Sequence, residues 1–154
     1  MEDKYKNLER KLDNQKEIVL KKSRMRDFFE TENLIQYIEE CEYEDRTILY
    51  LYLEIEGEES LIMYEIYPEM NIAKVIYPRI VRDKLNVLKV LNKLNCSDMN
   101  VKYVLNENGM VEISTRYRSK YKDFNAGMLY MIMDICINEA KKNIKYIFLN
   151  DIEY

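Results

Sequence analysis

Apolar positions recur at helical spacing at both ends of this chain and near its middle, and at every second residue in between. In the otherwise charged stretch 2–22, Tyr5, Leu8, Leu12 and Val19 fall on one helical face, which predicts a weakly amphipathic N-terminal arm. From Ser23 to Cys41 the stripe strengthens, because Met25, Phe28, Ile35 and Ile38 share a face, and Ser23 or Thr31 is a candidate N-cap. The acids from Glu39 to Asp45 crowd a position where the helix dipole disfavours negative charge, so the helix is expected to end there.

Strand periodicity follows. In Thr47–Glu56, Leu49, Leu51, Leu53 and Ile55 alternate with Ile48, Tyr50, Tyr52 and Glu54, the signature of a half-buried antiparallel strand. Gly57-Glu58-Glu59-Ser60 reads as a turn. Leu61–Tyr67 is a second strand with Ile62, Tyr64 and Ile66 on one face. After Pro68-Glu69-Met70-Asn71, Ile72–Tyr77 makes a third, so the three form a meander. Pro78 sits where a first helical turn tolerates it. Val81, Leu85, Leu88 and Leu91 then predict an amphipathic helix over Arg79–Leu94, its stripe widened by Val87, Val90 and Leu94, with Asn95-Cys96-Ser97-Asp98 breaking it. Val101–Leu105 and Val111–Tyr117 alternate as a fourth and a fifth strand around Asn106-Glu107-Asn108-Gly109, whose Asn-Gly is a strong hairpin signal.

The last helix, over Ala126–Lys142 with Asp123 or Asn125 as its cap, carries apolar residues nearly all round: Met128, Leu129, Tyr130, Met131, Ile132, Met133, Ile135, Cys136 and Ile137. A helix lying on one sheet needs one apolar stripe. Two covered sides are therefore expected, one supplied by the sheet and one by something else, to which the apolar tail Ile144–Tyr154 can contribute. The pattern as a whole predicts an α+β, two-layer protein: an antiparallel five-stranded sheet with helices in the order α-β-β-β-α-β-β-α. Residues 1–22 form a charged helical arm and 23–154 a single domain.

Composition narrows the chemistry. The chain has 154 residues, 3 Gly and 2 Pro, and no His at all. His-based triads, His metal ligands and His-based pH switches are thereby excluded. No Walker or dinucleotide glycine pattern is present. Cys41, Cys96 and Cys136 are too widely spaced for a zinc knuckle or disulfide framework and are expected to be buried thiols. The charged N-terminus lacks an apolar signal core and no segment reaches the length of a membrane span, so a cytoplasmic protein without a membrane partner is expected. A net charge of -4 argues against a protein that coats nucleic acid.

One segment resembles a known family. Val87-Leu88-Lys89-Val90-Leu91-Asn92-Lys93-Leu94-Asn95, then Lys102-Tyr103-Val104-Leu105 and Asn108-Gly109-Met110-Val111-Glu112-Ile113, is similar to the YbjN-type domain, in which a helix ending in an Asn-rich run leads into two strands around a polar turn. The resemblance spans about Asn33 to Lys142. It implies the fold of type III secretion chaperones, a cytoplasmic binding or regulatory role and frequent dimerisation. It supplies no catalytic residue.

Glu54, Glu56, Glu58 and Glu59 read as a solvated strand edge. Asp134, the one charge in the apolar run of the last helix, must be exposed, paired or protonated. With Met128, Met131, Ile132 and Ile135 it forms the expected protein interface. Arg116, Arg118, Lys120 and Lys122, interleaved with Tyr117 and Tyr121, form a possible basic patch of the composition that single-strand binders use, although strand alternation separates the Arg and Tyr faces. No nucleophile has an adjacent base. The sequence thus predicts a protein that is not an enzyme and carries no cofactor or metal, a homodimer that binds another protein as a chaperone-like or regulatory adaptor. The alternative is a small acidic inhibitor of a nucleic-acid-handling enzyme, of the kind a mobile element encodes.

Overall fold

A computed structural model of the chain describes residues 2–97 and 100–152. The elements are α1 (Glu2–Thr31), a 3-10 turn (Ile35–Tyr37), β1 (Glu39–Glu42), β2 (Thr47–Ile55), β3 (Glu58–Ile66), β4 (Met70–Ile76), α2 (Lys84–Ser97), β5 (Lys102–Leu105), β6 (Val111–Arg118), a second 3-10 turn (Tyr121–Asp123) and α3 (Ala126–Leu149). The fold is α+β. One antiparallel sheet runs in the order β1-β2-β3-β4-β6-β5, with the helices packed on one face.

The sheet has six strands where five were expected. The added one is β1, formed by the acids taken as a helix end: Glu39 pairs with Tyr50 and Glu42 with Thr47. The helix stops earlier because Asn33 adopts a left-handed conformation (φ 59°) and closes a Schellman motif. The Leu34 N–H donates to Phe29 O at 2.7 Å and the Asn33 N–H to Glu30 O at 3.1 Å. Ser23 therefore lies inside α1 and Thr31 at its end, so neither is an N-cap. Once in the sheet, the acids of this segment meet α1: Arg26 pairs with Glu40 at 2.8 Å, Lys22 with Glu42 and Lys11 with Glu44.

α1 is one unbroken helix across residues 22 and 23, so the expected arm and the start of the domain share an element. Its buried stripe is Ile18, Lys21, Met25 and Phe29, whereas Tyr5, Leu8, Leu12 and Val19 are exposed. Lys21 is fully buried and fastens the helix to the sheet. Its Nζ donates to Tyr67 O (2.8 Å), Asn71 Oδ1 (3.1 Å) and Ser119 O (2.5 Å). The Asn71 side-chain amide in turn donates to Tyr117 O and to Ser119 Oγ, both at 2.9 Å.

The β2–β3 connection is tighter than expected. Ile55 pairs with Glu58, leaving Glu56 (φ 52°) and Gly57 (φ 80°) as a two-residue primed turn that suits the strand twist. The β5–β6 hairpin is looser, since Leu105 pairs with Val111 and residues 106–110 form the loop. There Asn106 Oδ1 accepts from the N–H groups of Asn108 and Met110, and Gly109 takes φ 77°.

α2 begins at Lys84, later than Arg79, because Asp83 is the N-cap: its Oδ1 accepts from the Asn86 N–H at 3.1 Å. Val81 is buried but extended, held by its N–H to Gly109 O at 2.8 Å. The buried face of α2 is Val87, Val90 and Leu91, while Leu85 and Leu88 are exposed. Asp98, expected in the helix break, lies outside the described residues, as do Glu153 and Tyr154 of the tail.

α3 is capped by Asn125, whose side chain accepts from the Met128 N–H at 3.0 Å, and continues seven residues past Lys142 to Leu149. The tail expected to cover the helix from outside is largely helix itself. Leu129, Met133, Cys136, Ala140, Ile144 and Ile147 form one stripe against β4 and β6. Just past the helix, Asp151 Oδ1 accepts from the Arg82 and Asp83 N–H groups (2.8 and 2.7 Å), which ties this end of the chain to the start of α2. On the other face of the sheet Lys74 lies between Glu65 (3.5 Å) and Glu112 (3.7 Å).

Candidate interaction site

The last helix decides where an interface can lie. Its inner stripe is spent on the sheet, and its half-buried neighbours Tyr130, Ile132 and Ile137 pack against the same core. On the outer ridge Met131 is 54% exposed, Met128 40% and Ile135 38%. Their spacing of three and four residues makes them one stripe. The expected interface residues therefore separate. Met128, Met131 and Ile135 share the ridge, Ile132 is half-buried beside the core, and Asp134 is exposed on another side, where it lines a cleft.

That cleft, of about 410 Å³, opens in the helical layer between the end of α1, α3 and the sheet. Leu51, Leu53 and Ile62 form its sheet side, Phe29, Leu34 and Ile38 the wall after the α1 C-cap, and Tyr130, Asp134 and Ile137 the α3 side. It exists because β1 pairs only with residues 47–50 of β2. Past Tyr50 the second strand has no outer neighbour, and Leu53 stays exposed although it points to the layer side. Tyr64 is buried at the cleft, with its ring against Phe29 (centroids 5.3 Å apart). Burial first, and the nearby Tyr130 and Asp134 next, push its hydroxyl far above the ordinary range, so it stays protonated.

The basic residues Arg116, Arg118, Lys120 and Lys122 are all exposed. The aromatic partners that a single-strand binder would need are engaged inside the fold. Tyr117 stacks on Phe124 and donates its hydroxyl to Asp123 O at 2.8 Å. Tyr121 lies under the Arg24 guanidinium, 4.8 Å from the ring centre. Lys120 pairs with Glu69 at 3.7 Å. Arg116 borders a shallow depression with Arg10, Asn14 and Glu69. Cations without free rings hold phosphate but do not stack bases.

The cysteines differ from the expectation of three buried thiols. Cys136 is buried, Cys41 half-buried and Cys96 exposed, since Cys96 lies on the solvent side of the last turn of α2. Burial pushes the Cys136 thiol up to about 12, and its Sγ lies 3.6 Å from Ala73 O. A thiol reagent is expected to modify Cys96 at once, Cys41 more slowly and Cys136 only after unfolding; titration of native and denatured protein with Ellman's reagent measures this.

No protein-family model matches the chain, and no curated protein matches it. The described residues hold no cluster of metal-ligating side chains, and none of their helices is long and apolar enough to cross a membrane.

The residues that sequence reasoning missed are those of the cleft wall and of the Lys21 clasp. The spacing of Ile18, Lys21, Met25 and Phe29, with an Asn four residues after Phe29 as the helix stop, signalled the buried face of α1; the acceptors of Lys21 and the cleft itself depend on distant segments.

Proposed function

We propose that this chain is a non-enzymatic protein-binding domain of the cytoplasm, a chaperone-like or regulatory adaptor that works as a homodimer. The observation that carries the reading is the outer ridge of α3, where Met128, Met131 and Ile135 stand exposed on a helix whose opposite stripe is already covered. Burying side chains of this kind contributes about 1.5–3 kcal/mol each, against which association must offset lost rigid-body freedom. A two-fold contact along α3 buries the stripe twice, which favours a second copy as its cover. The resemblance to YbjN-type domains motivates the same reading, as does the lack of a nucleophile–base pair in the sequence.

The ridge gives a direct test. Met131→Glu places a charge at the centre of the stripe, on a position exposed enough to leave the fold intact. By light scattering at tens of micromolar, the wild-type chain is expected at twice the chain mass and the variant at the chain mass. A variant that stays dimeric moves the interface elsewhere.

The alternative, an acidic inhibitor of a nucleic-acid-handling enzyme, relies on the acids of residues 39–45. Glu40, Glu42 and Glu44 are matched by Arg26, Lys22 and Lys11 of the same chain, which lessens the field they offer a basic partner. A partner captured from the native host separates the two: salt weakens an acidic inhibitor's complex steeply, and a complex on an apolar ridge far less.

A further inference from the structure

The cleft carries an inference that does not depend on self-association. Five aromatic residues line it, Phe29, Tyr37, Tyr52, Tyr64 and Tyr130, and Asp134 is the one charged side chain among the described residues that line it. The Asp134 carboxylate makes no ion pair or hydrogen bond among the described residues. We propose that this cleft is a binding site for a small organic cation with an apolar body, an aryl- or alkylammonium compound whose positive head lies against Asp134 and the aromatic rings.

The chemistry of the walls selects that class. At about 410 Å³ the cleft falls in the range of small-ligand sites. Aliphatic side chains from β2, β3 and the α1 C-cap segment reward an apolar body. An ammonium head is attracted by ring faces and by a carboxylate together. Asp134 is exposed at the rim, so the head keeps part of its water and escapes the full cost of burying a charge. A neutral ligand of the same shape offers Asp134 at most a neutral hydrogen bond and no opposite charge. An anion is repelled by it, and among the described residues no lysine or arginine lines the cleft to offset that.

Three probes of similar size test this on the full chain: phenethylammonium, 2-phenylethanol and phenylacetate, titrated while backbone amide shifts are followed by NMR. Phenethylammonium is expected to give saturable shifts at residues 51–53, 62–64 and 130–137. Phenylethanol is expected to bind about tenfold more weakly and phenylacetate not at all. Asp134→Asn, at an exposed position, is expected to bring the ammonium down to the affinity of the alcohol and to leave the alcohol unchanged. Leu53→Trp, which fills the mouth, is expected to abolish both. The proposal is overturned if the three probes bind alike, if Asp134→Asn leaves the ammonium affinity unchanged, or if the shifts lie elsewhere. It is also overturned if the ammonium fails to bind while a lysine-containing peptide shifts residues 52–54, an outcome that makes the cleft part of a strand-pairing site for another protein.

Discussion

Replacing Lys21 by alanine is expected to lower the melting temperature by roughly 6–12 °C, at about 2–4 °C per kcal/mol for a chain of this size. The side chain satisfies three acceptors at once, the part-buried Tyr67 O and the buried Asn71 Oδ1 and Ser119 O, which join α1 to the turn before β4 and to the end of β6. Truncation leaves all three without this donor, at about 1–3 kcal/mol for each buried group left unsatisfied. A total of about 3 kcal/mol is a conservative expectation, checked by calorimetry of the wild type and the variant. Lys21→Met keeps most of the volume and isolates the charge. Burial draws the ammonium down from 10.5 to about 8, against the opposing pull of Glu17 and Glu69. The unfolded chain then holds its proton up to the higher value while the folded chain has released it, so this group makes stability rise between pH 8 and 10.5. Cys136 and Tyr77, each pushed up to about 12 by burial, act the other way. Their protons are held in the folded state and lost in the unfolded one, so stability falls above pH 9–10. Urea midpoints across pH 7–11 should show a shallow rise overtaken by a steep fall. In Lys21→Met the rise should vanish and the fall remain; identical profiles would mean that the Lys21 ammonium is not buried as described.

Phe29→Ala is expected to cost about 3–5 kcal/mol, the usual range for deleting a buried ring. Phe29 is buried and packs edge-on against Tyr64, and its carbonyl receives the Leu34 N–H that closes the α1 C-cap. Removing the ring loosens the packing of the cap, the cleft wall and the seat of α1 on β3 together. Urea denaturation followed by circular dichroism measures the loss. Hydrogen exchange on the same variant should show α1 amides losing protection ahead of those in β4 and β6. An arm of residues 1–22 docked late onto a finished domain would instead leave the Lys21 variant as stable as the wild type.

Why the sequence suggested such an arm is physically plain. The exposed series Tyr5, Leu8, Leu12 and Val19 is as apolar as the buried one, and the true stripe contains a lysine. Periodicity sorts residues by polarity and cannot foresee that a lysine will find three acceptors contributed by distant segments. Strand alternation was far more legible. Ile62, Tyr64 and Ile66 are buried on β3 as their spacing required, and β6 occupies the span expected of it. β1 was hidden because its four residues, mostly Glu, carry no apolar alternation, and pairing with β2 rather than propensity makes them a strand. For α2, Val81 joined a helical stripe by spacing alone, and only the Asp83 cap shows that it lies outside the helix. Of the candidate site, the ridge residues Met128, Met131 and Ile135 were read directly from the all-round apolar pattern. The cleft was not, since it arises where β1 ends short of β2, a feature of register that no single segment encodes.

The proposed function requires that a second copy of the chain cover the outer ridge of α3. Sedimentation equilibrium of the wild-type protein from about one to about one hundred micromolar tests that most directly. A mass that rises with concentration to twice that of the chain is the expected result; a single chain mass throughout that range would contradict it.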